Sequence, residues 1–217
     1  MPKSPPKQAR VGRPRSEVAD SHAAIMDAVY SLLQETSVRD LTMEAVAKRA
    51  GVGKPTLYKW WQSKATLVLA MFHERLAREQ NAQQTATVEA TIRGKMRRLA
   101  VEFRGLFGKV MADLIAEGQS DHRLLHDLYN QHIRPRRAAT IADIERGKTN
   151  GEFSADVNSE ILVDEIVGPI YFRMLLRSEP LTQDYVDKLI DQTLRGLRQN
   201  DRSGRKFADR RTLTQRG

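Results

Sequence analysis

The sequence predicts an all-α protein of about nine helices, with an N-terminal three-helix domain followed by a C-terminal helical bundle. Three observations predict it. Apolar residues recur at three- and four-residue spacing along most of the chain. No segment alternates with the two-residue period of a half-buried strand, and no internal repeat is visible. Glycine, proline and capping residues fall between the periodic stretches, at Gly51, Gly118, the Gly147–Gly151 region and Glu179-Pro180-Leu181.

The elements follow in order. Residues 1–15 hold four prolines and five Lys/Arg with few apolar side chains, and read as a disordered basic arm. Ala24, Ile25, Ala28, Val29, Leu32 and Leu33 stripe a first helix that begins near Ser16 to Ser21. Thr42 is a suitable N-cap for a second, through Met43, Val46, Ala47 and Ala50 to Gly51. Pro55 is tolerated only in a first turn, so a third helix starts at about Gly53 or Lys54, with Leu57 and Trp61 on its buried face. Ser63 caps a fourth, carrying Leu67, Ala70, Met71 and Leu76. Ile92 to Phe103 and Val110 to Ile115 give a fifth and sixth, separated near Gly105 and Gly108. Asp121 caps a seventh that Pro135 kinks and that continues through Ile141 and Ile144. An eighth runs from Ile161 to Leu176 with Gly168-Pro169 inside, and Thr182 caps a ninth through Leu197. The expected division is 1–15 arm, 16–64 reading head, 65–200 bundle and 201–217 basic tail.

Charge is unevenly placed. Residues 1–64 hold 11 Lys/Arg and 6 Asp/Glu (+5), residues 65–197 hold 18 and 19 (−1), and residues 198–217 hold 7 and 2 (+5), which sum to the net +9 of the chain. Basic ends on a balanced body fit a polyanionic partner, because neutralised phosphates release their counterions. Cysteine is absent, which excludes disulfides and thiolate catalysis. No apolar run of about 18 residues is present, so no membrane span is expected. The first residues lack an apolar signal region. A cytoplasmic protein is the expectation.

The chemistry lies in residues 42–64. Two short helices join through Gly51-Val52, and the second opens with small and basic residues, which is a helix-turn-helix pattern. Such a helix fits the major groove, its first turn facing base edges and phosphates. Lys54 suits a phosphate or a guanine edge, Thr56 a phosphate or a thymine methyl, and Tyr58 and Trp60 offer aromatic bodies with a donor at the tip. Lys64 stands at the start of the fourth helix, where free N–H groups also favour phosphate. Trp60 and Trp61 lie about 100° apart around the helix, so one of them points outward.

Leu41-Thr42-Met43 through Ala47, Ala50-Gly51-Val52, Thr56-Leu57-Tyr58 and Ser63-Lys64 resemble the DNA-binding domain of the TetR family of bacterial regulators over residues 23–71. The resemblance implies that Lys54, Pro55, Thr56, Tyr58, Lys59 and Trp60 face DNA, that Lys64 touches phosphate, and that Leu57 and Trp61 are core. Thr42 and, in the arm, Arg13 and Arg15 complete the expected DNA-facing set. Gly12-Arg13-Pro14-Arg15 also resembles the core of an AT-hook, which lies in a narrow minor groove. Gly53, Trp60 and Gln62 depart from residues frequent in the family, which bears on the operator read. Ile133-Arg134-Pro135-Arg136-Arg137 and Gly168-Pro169-Ile170-Tyr171 look like one of its C-terminal subgroups.

Specific DNA binding by one such motif ordinarily needs two copies, roughly 34–36 Å apart on a palindromic operator. A homodimer is therefore expected, with Ile166, Gly168, Ile170, Leu175, Leu189, Ile190, Leu194 and Leu197 of the last two helices as its interface. The resemblance implies a pocket for an unknown small-molecule effector, lined by Phe103, Phe107, Met111, Leu114, His126, Tyr129 and Phe172. It implies a repressor that the effector releases from DNA, with no cofactor, no metal and no enzymatic activity. The sequence leaves two alternatives. One is a helix-turn-helix protein without a sensor. The other is a metal-dependent enzyme built on His122 and His126, which stand four residues apart near Asp121 and Asp127.

Overall fold

The structure is a computed structural model that describes residues 15–78, 87–195 and 197. The arm up to Pro14, with Arg13, and the tail from 201 onward lie outside the described residues, as does the side chain of Arg15. The described residues form ten α-helices and one π-helical turn, with no β-strand. In chain order the helices are α1 (Arg15–Glu35), α2 (Met43–Ala50), α3 (Lys54–Trp60), α4 (Lys64–Arg78) and α5 (Val88–Arg104). They continue as α6 (Leu106–Gly118), α7 (His122–Leu128), α8 (Arg134–Thr149), α9 (Ser159–Leu176) and α10 (Gln183–Leu194). None is long and apolar enough to cross a membrane.

Where the periodicity predicts one helix kinked at Pro135, the chain forms α7, a π turn over Tyr129–Ile133 and then α8. Pro135 falls in the first turn of α8, where its missing N–H leaves nothing unsatisfied. The interruption sits ahead of the proline, in the π turn.

The chain divides into two compact units, Met1–Gln80 with Asp113–Tyr129, and Asn81–Ala112 with Asn130–Gly217. The first unit reaches beyond the expected 16–64 because α4 and the later residues of α6 share its core. Ile25, Val29 and Leu33 of α1, Val46 of α2, Leu57 of α3, and Leu67, Val68 and Met71 of α4 are all essentially inaccessible to solvent. Burying each aliphatic side chain contributes about 1.5–3 kcal/mol. Polar contacts lock α4 to α1. Arg75 lies 3.7 Å over the Tyr30 ring and donates to Asp27 at 3.0 Å, and His22 Nε2 meets Glu74 Oε1 at 2.6 Å.

In the second unit α5 packs against α8, α9 and α10. Ile92, Met96 and Ala100 of α5 meet a core that includes Ile144, Leu162, Val163, Ile166, Ile170, Val186 and Ile190. Ion pairs tie the same helices at their edges. Arg97 and Arg93 of α5 reach Asp187 of α10, at 2.6 and 3.4 Å. Hydrogen bonds from Arg97, then Arg93, hold the Asp187 carboxyl below its usual range against the opposing effect of burial. Arg137 of α8 pairs with both Glu160 and Asp164 of α9.

Two glycines allow close approach here. A Cβ at Gly108 would collide with the Phe103 carbonyl across the break between α5 and α6, and one at Gly147 would stand 2.5 Å from the Phe153 ring. The Gly108 obstacle is backbone and has no rotamer by which to move aside. Gly108→Ala is therefore expected to destabilise the protein by about 1–3 kcal/mol, the usual cost of overpacking, whereas Gly94→Ala, with open space at its Cβ, leaves stability unchanged or raises it. Paired thermal melts would check this.

Candidate nucleic-acid interface

The site begins at the turn between α2 and α3. Thr42 caps α2, its hydroxyl accepting the Ala45 N–H at 3.1 Å. At the other end Gly51 adopts φ 66°, ψ 27°, the left-handed region that favours glycine. Val52 then donates to the Ala47 carbonyl at 3.0 Å and Gly51 to that of Lys48 at 3.3 Å, a Schellman closure that turns the chain sharply. Gly53 precedes α3 without a side-chain cap, and Pro55 occupies the first turn.

Leu57 is fully buried and Trp61 is 7% exposed, while Tyr58 and Trp60 are 51% and 53% exposed. The two adjacent indoles thus point to opposite environments. Pro55 and Lys59 are exposed and Thr56 is half-buried. Lys59 Nζ lies 5.8 Å from the Trp60 ring centre. Behind them the His22 ring lies 5.4 Å from that of Trp61, which with the His22–Glu74 bond braces the end of α3 against α1 and α4. Between α1 and α3 is a concavity of about 320 Å³. Ser21 and His22 line it on one side and Thr56, Lys59 and Trp60 on the other, which joins aromatic, hydroxyl and cationic groups in one groove.

Both lysines expected at phosphate already have anionic partners. Lys54 Nζ stands 2.5 Å from Glu44 Oε1, and the Lys54 hydrogen bond holds the Glu44 carboxyl below its usual range. Lys64 Nζ donates to the Arg39 carbonyl at 3.0 Å and stands 3.4 Å from Glu117 Oε1. Sequence reasoning missed Ser21, His22, Glu44 as a lysine partner, and Glu117. The available signal for Glu117 was its four-residue spacing from Asp113, which places two carboxylates on one face of a largely apolar helix.

Residues 25–71 match the family model for bacterial regulatory proteins of the tetR family, and residues 67–193 match that for the tetracyclin repressor-like C-terminal domain. The chain belongs to the TetR family. Like its relatives, this TetR-family protein is a DNA-binding transcriptional regulator. The uncharacterized HTH-type transcriptional regulator YdeS of Bacillus subtilis is 31% identical over 190 residues, covering 88% of this chain and 95% of its own. The solved TetR family transcription regulator SCO0332 superposes with a TM-score of 0.70 at 30% identity, over 82% of this chain and 98% of its own. FadR from Bacillus subtilis, solved in complex with stearoyl-CoA, shares the fold at a TM-score of 0.66 and 16% identity, over 81% of this chain and 99% of its own.

Elsewhere the TetR-family chain departs from its sequence-based expectations. Of the expected effector residues, Phe103, Phe107, Met111 and Leu114 are buried. His126, with 74% of its side chain exposed, Tyr129 and Phe172 are at the protomer surface and do not line an apolar interior. Tyr129 lies one residue, about 100°, beyond buried Leu128, at the edge of the inward stripe. In the second unit the aromatic cluster is Phe103, Phe107, Tyr171 and His132. Phe103 meets Tyr171 edge-on at 4.9 Å, and Phe107 meets His132 at 5.1 Å. Burial pushes the Tyr171 phenol up to about 12. Arg136 closes one side, bonded to Glu102 at 2.8 Å and 5.6 Å from the centre of the Phe107 ring.

The expected dimer residues need the same correction. Ile166, Ile170, Ile190 and Leu194 are core within the protomer, and Leu189 and Leu197 are half-buried. Gly168 and Leu175 remain exposed, joined on α9 by Ile161, Phe172 and Leu176 at 56%, 57% and 62% exposure. The periodicity shows that α9 is apolar on more than one side but leaves open which side turns inward. His122 and His126 are exposed, Asp121 caps α7 through the N–H groups of Arg123 and Leu124, and the described residues contain no group of three metal-ligating side chains.

The opposite settings of the two indoles are measurable. With Trp60→Phe, the remaining Trp61 emission should be blue-shifted and resistant to acrylamide, and duplex DNA should leave it unchanged. In the unaltered protein DNA should shield Trp60 from the quencher. Equal quenching of both proteins would contradict the placement of α3.

Proposed function

We propose that this protein is a homodimeric repressor that places one α3 from each protomer in the major groove of a palindromic operator and is released by a small-molecule effector. The observation that carries the DNA-facing part is the exposure of Tyr58 and Trp60 beside Lys59, on a helix anchored by buried Leu57 and Trp61. Large aromatic surfaces are costly to leave in water, and a groove wall covers them. Lys54 and Thr56 lie on the same helix, with Pro55 against the backbone, while Thr42 caps α2 and Lys64 begins α4. In this reading all eight contact DNA, as do Arg13 and Arg15 of the arm. The protein works in the cytoplasm, where bacterial DNA is.

Two copies meet through the exposed stripe of α9, Ile161, Gly168, Phe172 and Leu175, in place of the buried isoleucines. Open space at Gly168 lets a second helix approach closely. The effector site is supported by the resemblance of residues 67–193 to a repressor-type C-terminal domain and by the stearoyl-CoA complex of the structurally similar FadR. The effector acts by its preference for the conformation that binds DNA less well.

Selection of bound fragments from genomic DNA would test the reading, the expected product being an inverted repeat. Lys59→Ala should weaken operator and random DNA alike and reduce the salt slope by about 1, whereas Tyr58→Ala should cost about 1–3 kcal/mol and narrow the gap between operator and random DNA. Phe172→Glu should yield a folded monomer in sedimentation, with operator affinity lowered at least tenfold. A dimer that persists with Glu at that position would place the interface elsewhere.

A further inference from the structure

The first unit contains an arrangement that DNA contact alone does not explain. Asp113 and Glu117, one turn apart on α6, reach two separate parts of the reading head. The Val38 N–H donates to Asp113 Oδ2 at 3.2 Å, which pins the loop between α1 and α2. Glu117 Oε1 stands 3.4 Å from Lys64 Nζ at the first residue of α4, and the same ammonium donates to Arg39 O at 3.0 Å. The Lys64 and Glu117 side chains are 26% and 36% exposed, against 54% and 56% for Lys54 and Glu44. Glu117 Oε2 is buried and accepts no hydrogen bond from the protein. A carboxylate oxygen kept from water without a donor is not placed for stability, because such atoms are costly.

We propose that Glu117 is a restraining counter-ion. It holds the Lys64 ammonium toward α6 and sets how much of that charge is available to a DNA phosphate. The inference rests on the reading of Lys64 as a phosphate contact. One ammonium cannot fully satisfy a carboxylate and a phosphate in different directions, so the two anions compete for it. Partial shielding makes this competition stronger than at an open surface pair. Glu117 is thus a positioning residue that acts on DNA affinity through Lys64.

The test uses the full chain and a labelled random-sequence duplex, because non-specific binding reads phosphate contacts alone. Lys64→Ala should weaken binding and flatten its salt dependence. Glu117→Gln should tighten binding by about two- to fivefold and steepen that dependence. In a double variant carrying Lys64→Ala, the Glu117→Gln gain should vanish. Asp113→Asn is the charge control. It removes one negative charge from the same face but keeps an acceptor for Val38, so it should leave affinity nearly unchanged. Glu117→Ala should repeat the Glu117→Gln result if melts show that one of them is less well folded. A gain that survives Lys64→Ala, an equal gain from Asp113→Asn, or a loss of affinity with Glu117→Gln would each overturn the proposal. No effect of Lys64→Ala would overturn it together with the phosphate role of Lys64. Failure of the Glu117 variants alone would leave that role standing.

Discussion

A helix as short as α3, Lys54–Trp60, does not hold itself together in water. Its existence and direction depend on two side chains four residues apart, Leu57 and Trp61, being drawn into the core formed by α1, α2 and α4. Everything on the outer side of α3 is a consequence. Once Leu57 and Trp61 are fixed, helical geometry sends Tyr58 and Trp60 outward without further instruction. The left-handed Gly51 sets the entry, and the Trp61 N–H, bonded to the Leu57 carbonyl at 2.9 Å, closes the exit. The reading surface is therefore as rigid as the pair beneath it.

This part of the molecule was readable in the sequence because its signals are local. Gly51 follows a cleanly amphipathic α2, Pro55 restricts where α3 begins, and Thr42 stands where a cap is needed. Each constraint operates within a few residues. The bundle was readable as helices but not as surfaces. In α9, Ile166 and Ile170 are buried while Ile161 and Phe172 are not, although all four are apolar. A helix apolar on most sides gives no phase, and only its neighbours α5, α8 and α10 decide what faces inward. The π turn at Tyr129–Ile133 was hidden for a related reason, since one additional residue per turn leaves almost no trace in a periodic pattern. The contacts of Glu117 and Asp113 were further out of reach. They join residues 53 and 75 positions apart, beyond any local spacing rule.

The second unit is organised differently. Its helices share an aliphatic core, but Arg93, Arg97, Arg136 and Arg137 all reach across to carboxylates on other helices. Guanidinium forks of this kind hold orientation better than they hold stability, because they make several directed bonds at once. The Arg136–Glu102 pair lies against the ring of Phe107, beside the Phe103–Tyr171 contact, so the aromatic cluster is bordered by a fixed polar edge. That edge accounts for Arg136 in the Ile133–Arg137 stretch, while Arg137 ties α8 to α9.

The pairing of Lys54 with Glu44 also has a thermodynamic consequence. An ammonium that already holds an anion meets DNA as an ion-exchange resin does, giving up one counter-charge as it takes another. The heat of making the new contact is largely offset by the heat of breaking the old one. What remains is the entropy of cations shed from the duplex. In the proposed complex, calorimetry of this lysine's share of the binding would therefore register little enthalpy.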